Sequence, residues 1–343
     1  MKHKCSTLYL INQLTNQPIN QSTNQPINQL TNQPINQSTN QPASMKLFNI
    51  HDTALGKAVK APEKYDPSLL FRIPRSENRV HYGIEDDQLP FVGFDVWNCY
   101  EVSFLTENGL PVSRVLKLVY PADSKYLVES KSLKLYLNSF NMDHFGKTVA
   151  QAEERVGVAI SHDVSVLLET QVYVTLFDSH CEIRQAFPEY IDAELSTQVS
   201  LKKQEAISFT HFTESPELLR SELTDKQHSY LFRTDMLRSN CRVTNQPDWG
   251  DLFVQMTTKH EVELSSIMEY LVSFRKENHF HEEVVEMIYK RFHDIFNPVS
   301  LMVAAMYTRR GGIDINPIRA SHPALLDETL ISSKLMAAKT LRQ

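Results

Sequence analysis

Two stretches of the chain carry the same spacing of apolar residues. In LVESKSLKLYLNSF, Leu133, Tyr136, Leu137 and Phe140 fall at i, i+3, i+4 and i+7; in ELSSIMEYLVSF, Ile267, Tyr270, Leu271 and Phe274 do the same. That period predicts an amphipathic helix laying one face on a core. Setting Tyr136 on Tyr270 brings Phe145 and Phe280 within one residue of register, so the two stretches form an internal repeat. A second helix is expected after each, clearest in HEEVVEMIYKRFHDIF, where Val284, Ile288, Phe292 and Ile295 share a face. Around the helices lie strand patterns. SFLTENGLPVSRVLKLVYP reads as a hairpin with Asn108-Gly109 supplying the positive φ angles, and QVYVTLF as a later strand. CRVTNQPDWGDLFVQM reads as two strands around a turn, and VSLMVAAMYT, after Pro298, as another. Strands, paired helices, then strands is an α+β order with antiparallel sheets. The expected organisation is two tandem modules divided near residue 190, spanning 45–190 and 191–343.

The first 44 residues read differently. Residues 11–42 are four octapeptides of the type INQLTNQP or INQSTNQP. A proline every eighth residue breaks helices and ladders, and one or two aliphatics per repeat bury too little to offset chain entropy. Residues 1–44 are expected to be a disordered tail, an upstream tract read in frame, with Met45 the natural start. The only apolar run near the N-terminus, Leu8–Ile11, is too short for a signal peptide or a membrane span. Across 343 residues the net charge is −6 with no long basic run, which predicts no direct nucleic-acid or membrane partner. Cys5, Cys99, Cys181 and Cys241 contain no CxxC, arguing against a disulfide framework or zinc knuckle and for a reducing cytoplasm.

Candidate chemistry clusters in four motifs. In RSNCRVTNQPDWG, Cys241 reads as a buried small hydrophobe, as a metal ligand lacking nearby partners, or as a nucleophile. Arg238 and Arg242 would favour a thiolate if either reached the sulfur. A reversal at Asn245-Gln246-Pro247 would return Asp248 to it. HFHEE opens a helix; its acids suit the first turn, and Val285 stands where a second zinc histidine would be needed, so no zincin is expected. ESKSLK (Glu129–Lys134) gathers a carboxylate and two lysines at a strand-to-helix junction, or is a solvated helix start. YTRRGGIDINP places an arginine pair before two glycines, which suits a phosphate or a plain turn. No GxGxxG or GxxxxGK[ST] occurs, so no Rossmann crevice or P-loop is expected.

Together, ESKSLKLYLNSF, SNCRVTNQPDWG, YLVSFRKENHFHEE and YTRRGGIDINP, with IPRSENR earlier, resemble the two-module form of the 7-cyano-7-deazaguanine reductase family, over Met45–Gln343. The resemblance implies tunnelling-fold (T-fold) modules, each an antiparallel sheet with two helices on one face, and a homodimer. It implies an oxidoreductase that consumes two NADPH and acts on a small deazapurine, in queuosine (tRNA modification) biosynthesis, with no metal. Cys241 would form a covalent thioimide with the nitrile, Asp248 would move the proton, and His281 would assist. Glu129 and Glu282 would hold the purine edge with Ser130, Lys131 and His281 close by. Lys131, Ser132, Arg310 and Gly311 would contact NADPH. The first module keeps ESKSLK but has FGKT where the second has FHEE, and the second has LSSIME where the first has ESKSLK. One site shared between both modules is therefore expected. A metal-using cyclohydrolase-like T-fold enzyme acting on a purine or pterin, and a non-catalytic purine-binding assembly protein, are the rival readings.

Overall fold

The computed structural model describes Pro62 and residues 64–343. The octapeptide tail expected over residues 1–44, and the start of the first expected module, lie outside the described residues.

Eight strands form the main sheet: β1 (Val92–Leu105), β2 (Pro111–Pro121), β3 (Tyr173–Phe177), β4 (Ser221–Cys241), β5 (Pro247–Val262), β6 (Asn278–His279), β7 (Ser300–Tyr307) and β8 (Ile313–Ala320). Their spatial order is β3-β2-β1-β8-β7-β5-β4-β6. Neighbours run antiparallel except for the two-residue β4–β6 pair. The longer helices are α1 (Ser130–Asn138), α2 (Val149–Leu168), α3 (Leu264–Ser273) and α4 (His281–Phe296). The α+β class with a large antiparallel sheet is thus the one the hydrophobic pattern implied. Among the described residues no helix is long and apolar enough to cross a membrane.

The halves of the chain meet within the sheet. β1 pairs with β8 from Val92↔Ala320 to Cys99↔Ile313, so strands from either side of residue 190 share one ladder. Both sheet faces are covered. Leu301, Val303, Ala305 and Tyr307 pack with Leu252, Val254 and Met256 under Ile267, Leu271, Val284, Ile288 and Phe292 of α3 and α4. The alternate residues Met302, Ala304 and Met306 pack with Phe94, Val96 and Phe253 under Phe187, Tyr190, Leu330 and Ile331. Burial on both sides explains why β7 reads as a continuous apolar run rather than an alternating one. Ile84 and Phe91, ahead of β1, also enter the core around α3 and α4. The β1–β2 connection is wider than the sequence suggests. Thr106 N–H donates to the Leu110 carbonyl (2.9 Å) across a longer loop. Gly109 alone has positive φ (+84°), Asn108 does not, and Thr106 Oγ1 holds the Asn108 side chain instead (2.5 Å).

Candidate active site

The β4–β5 hairpin carries Cys241 at its tip. The Cys241 N–H donates to the Gln246 carbonyl (2.8 Å), and its own carbonyl accepts from the Asn245 N–H (2.9 Å). Asn245 adopts φ +55°, a conformation its short polar side chain tolerates, and Pro247 opens β5. Ser239 stands opposite Asp248. Cys241 lies two residues past Ser239, so period-two alternation puts the thiol on the same face, diagonal to the carboxylate. Both line one cleft of about 350 Å³, with Trp97, Ile313 and Ile315 from the β1–β8 joint and Leu127 and Val128 ahead of α1. Cys241 is half-buried rather than a core residue, while Cys99 is buried and burial pushes its thiol up. Neither neighbouring arginine serves the sulfur. Arg238 donates to the Arg275 carbonyl, and Arg242 binds the Asn78 side chain and Glu283 (3.3 Å).

Asp248 is buried, which alone would raise its carboxyl. The His281 ring and the Arg310 guanidinium outweigh burial and hold it below the usual value. His281 Nε2 lies 3.4 Å from Asp248 Oδ2, and its ring stacks on Tyr307 with centroids 3.9 Å apart, which fixes the imidazole plane. Arg310 reaches Asp248 from the β7–β8 turn, where Gly311 (φ +57°) and Gly312 (φ +79°) supply conformations that side chains resist. Of the arginine pair only Arg310 lines the cleft; Arg309 lies over the Tyr100 ring, 4.1 Å from its centroid.

Ser130, Lys131, Glu282 and Gly311 line the same cleft. Glu129 and Ser132 stand just behind it. The Glu129 carboxylate caps α1, accepting from the N–H groups of Lys131 (2.9 Å) and Ser132 (2.7 Å). It is buried, and burial raises its carboxyl despite those bonds. Of the two readings of ESKSLK, the solvated helix start does not hold at Glu129, which is a buried cap. Glu282 is buried too, and burial followed by repulsion from Asp95 pushes its carboxyl up to about 8. Glu283, by contrast, closes the first turn of α4 on the Phe280 N–H (3.2 Å) and meets His279 (3.3 Å).

Two features were not read from sequence. Lys134, the second lysine of ESKSLK and given no role of its own from sequence, lines the cleft near Gly311 and pairs with Glu101 (3.4 Å). Behind Glu282 lies a buried ionic cluster: Arg79 and Arg319 bind Glu286 (2.7 and 2.8 Å), Arg319 also meets Asp95 (2.8 Å), and Arg75 pairs with Asp95. The signal available was charge inside apolar context, Asp95 in PFVGFDVW and Arg319 in INPIRA, with Arg75 and Arg79 four apart in IPRSENR. Among the described residues no three histidines, cysteines or acids converge as metal ligands. Lys131, Lys134 and Arg310, with Gly311 between Arg310 and Lys134, line the cleft as cations of the kind that could hold a dinucleotide's phosphates.

A half-buried thiol that shares its cleft with a carboxylate–imidazole pair, a buried carboxyl and the cations Lys131, Lys134 and Arg310 fits an enzyme that works through cysteine. Comparison with known proteins narrows this. Residues 61–176 match the family model described as "Nitrile reductase, 7-cyano-7-deazaguanine-reductase N-term", and residues 247–324 match "QueF-like protein". A protein of Psychrobacter cryohalolentis named NADPH-dependent 7-cyano-7-deazaguanine reductase is 40% identical over 285 residues, covering 81% of this chain and 96% of that one. One of the same name from Paracidovorax citrulli is 36% identical over 274 residues, covering 79% and 94%. Among solved structures, the archaeosine synthase QueF-Like in the apo form matches with TM-score 0.25 and 15% identity, over 28% of this chain and 94% of that one. The chain belongs to the family of NADPH-dependent 7-cyano-7-deazaguanine reductases.

Proposed function

We propose that this chain reduces the nitrile of 7-cyano-7-deazaguanine to an aminomethyl group at the expense of two NADPH, in queuosine biosynthesis. The observation that carries the reading is the convergence of Cys241, Asp248, His281 and Glu282 on one cleft in a member of this family. Cys241 adds to the nitrile carbon. The sulfur loses its proton to Asp248, one π pair of the C≡N bond moves to nitrogen, and that nitrogen takes the proton, leaving a thioimide. Covalent attachment converts a poor hydride acceptor into an activated one. The cofactor would supply hydride twice, and between the two deliveries the C–S bond breaks with its electron pair returning to the Cys241 sulfur. His281 orients Asp248 and favours its ionised form when the thiol must be deprotonated. Glu282 accepts from the purine N–H edge, Glu129 backs the same wall with Ser130 and Lys131, and a wrong base leaves the buried carboxylate unpaired. Lys131, Arg310 and the Gly311 backbone hold the cofactor's phosphates, with Ser132 behind them.

The chain is read as two tandem T-fold modules, 45–190 and 191–343, the first supplying the α1 wall and the second the thiol. A cytoplasmic homodimer completes this reading. Along Glu222–Ser229, β4 has no strand on its outer side among the described residues, and such an edge invites a second copy. Mixing the protein with 7-cyano-7-deazaguanine and NADPH tests the function. Wild type is expected to oxidise two NADPH per nitrile and Cys241→Ala none; an inert wild type refutes the activity, and an equally active Cys241→Ala refutes the covalent route.

A further inference from the structure

Arg310 is already engaged by the hairpin it faces. Its guanidinium pairs with Asp248 Oδ1 and the Gln246 side chain and donates to the Pro247 carbonyl at 3.3 Å. The proposed function asks the same guanidinium to meet a phosphate of the cofactor. Three of its five N–H groups are spent on a carboxylate, an amide and a carbonyl, so a phosphate that drew the guanidinium to itself would compete with Asp248 for it. The two partners also differ in freedom. The Asp248 side chain is 4% exposed and the Arg310 side chain 31%, and Arg310 precedes two glycines of positive φ. If the pair separates, the arginine moves and the carboxylate stays beside His281.

Resting on the nitrile-reductase reading, we propose that Arg310 exchanges partners, binding Asp248 in the free enzyme and a cofactor phosphate in the loaded one, so that cofactor binding turns Asp248 from proton acceptor into proton donor. The reaction places these demands on Asp248 in that order. In adduct formation the S–H bond breaks and the S–C bond forms, and an ionised carboxylate must carry the proton from sulfur to nitrogen. In reduction a C–H bond forms with the hydride pair, the C=N π pair passes to nitrogen, and nitrogen must be given a proton. Asp248 is faced by His281 from α4, Arg310 from the β7–β8 turn, Tyr307 from β7 and Cys241 across the hairpin tip. Of these only Arg310 is matched by an anionic competitor in the reaction. Withdrawing an arginine in contact raises a carboxyl's proton affinity by about one to three pH units. Arg310 thus helps keep Asp248 ready to deprotonate the thiol; once that proton has passed to nitrogen, the departure of Arg310 lets the again-ionised Asp248 take a fresh proton from water and hold it for the nitrogen that hydride addition leaves basic.

The test uses the full chain and NADP⁺, which carries the phosphates without a hydride. Adduct formation with 7-cyano-7-deazaguanine is followed by quenched intact mass across pH, with and without NADP⁺ at an occupancy confirmed by calorimetry. NADP⁺ is expected to move the acidic limb upward, slowing adduct formation about tenfold on the acid side and leaving it unchanged above the limb. Arg310→Gln should show the raised limb without NADP⁺ and no further movement with it, whereas Arg310→Lys should keep the low limb. A wild-type limb that bound NADP⁺ leaves in place overturns the exchange, as does an equal shift in Arg310→Gln. A wild type that forms no adduct at any pH refutes the nitrile-reductase reading itself.

Discussion

The starts of α1 and α3 are the same construction put to two uses. In each, a serine one turn in accepts from a distant backbone N–H and donates back to the residue before the helix. Ser132 Oγ takes the Phe71 N–H (3.0 Å) and gives to the Glu129 carbonyl (2.7 Å); Ser266 Oγ takes the Arg220 N–H (3.0 Å) and gives to the Glu263 carbonyl (2.6 Å). At the far end, Ser139 just past α1 and Ser273 as the last residue of α3 each donate to a tyrosine carbonyl at 2.6 Å. The carboxylates differ. Glu129 is buried as a cap behind the cleft, whereas Glu263 leaves its helix uncapped and pairs outward with Arg220 (2.9 Å). At the cleft wall Ser130, Lys131 and Lys134 stand where α3 has Leu264, Ser265 and Met268. The shared serines are scaffold, and the chemistry lies in the positions that diverge. By this comparison Ser132 supports the helix start, and a cofactor contact there must come in addition to that support.

The largest effect should come from the residue opposite that wall. Glu282→Gln is expected to cut turnover roughly a hundredfold by replacing a carboxyl, whose two oxygens can both accept from the purine edge, with an amide that has one acceptor. The same change should stabilise the protein at high pH. The folded Glu282 carboxyl binds its proton more tightly than the unfolded one, so its stability contribution is whole below about 4.5 and is lost as pH rises through about 8. Melting temperatures of Glu282→Gln above wild type near pH 9, and unchanged near pH 4, are the expected result; a lower melting temperature near pH 9 contradicts the burial argument.

Next in size, Lys131→Ser installs the residue that α3 carries and should weaken NADPH binding about tenfold with little change in stability, by calorimetry and thermal melts. Unchanged affinity would break the contrast between the two helix starts. Smaller and equal effects are expected from Ser132→Ala and Ser266→Ala, each costing about 1 kcal/mol in denaturant unfolding because each loses the same pair of bonds. If only Ser132→Ala also weakens cofactor binding, Ser132 does more than hold its helix. Smallest is Glu263→Gln, whose exposed pair with Arg220 is worth less than about 1 kcal/mol.

Much of this arrangement was legible along the chain because its causes are local. The 3.6-residue period marked α1, α3 and α4, the proline turn marked the hairpin tip, and the complementary loss of ESKSLK and FHEE motifs between the halves pointed to a shared cleft. The rest depends on partners far apart in sequence. Nothing near Val92 or Ala320 announces that β1 and β8 pair. Asp95 and Arg319 stand as lone charges in apolar context, and what balances them shows only when their shared partners are brought in from other elements. Glu129 reads as a functional acid or a solvated one, and only the geometry of α1 shows its oxygens committed to two backbone N–H groups. Arg242 looked like a thiolate stabiliser by proximity, yet its reach carries it to Asn78 and Glu283.

The central claim is that Cys241, at the tip of the β4–β5 hairpin, is the nucleophile. Incubating the protein with 7-cyano-7-deazaguanine in the absence of NADPH, then mapping peptides by mass, tests it most directly. One substrate mass added to the peptide containing Cys241 is expected, and its loss as the amine product when NADPH follows. Substrate mass on another peptide, or turnover with no adduct on Cys241, would contradict it.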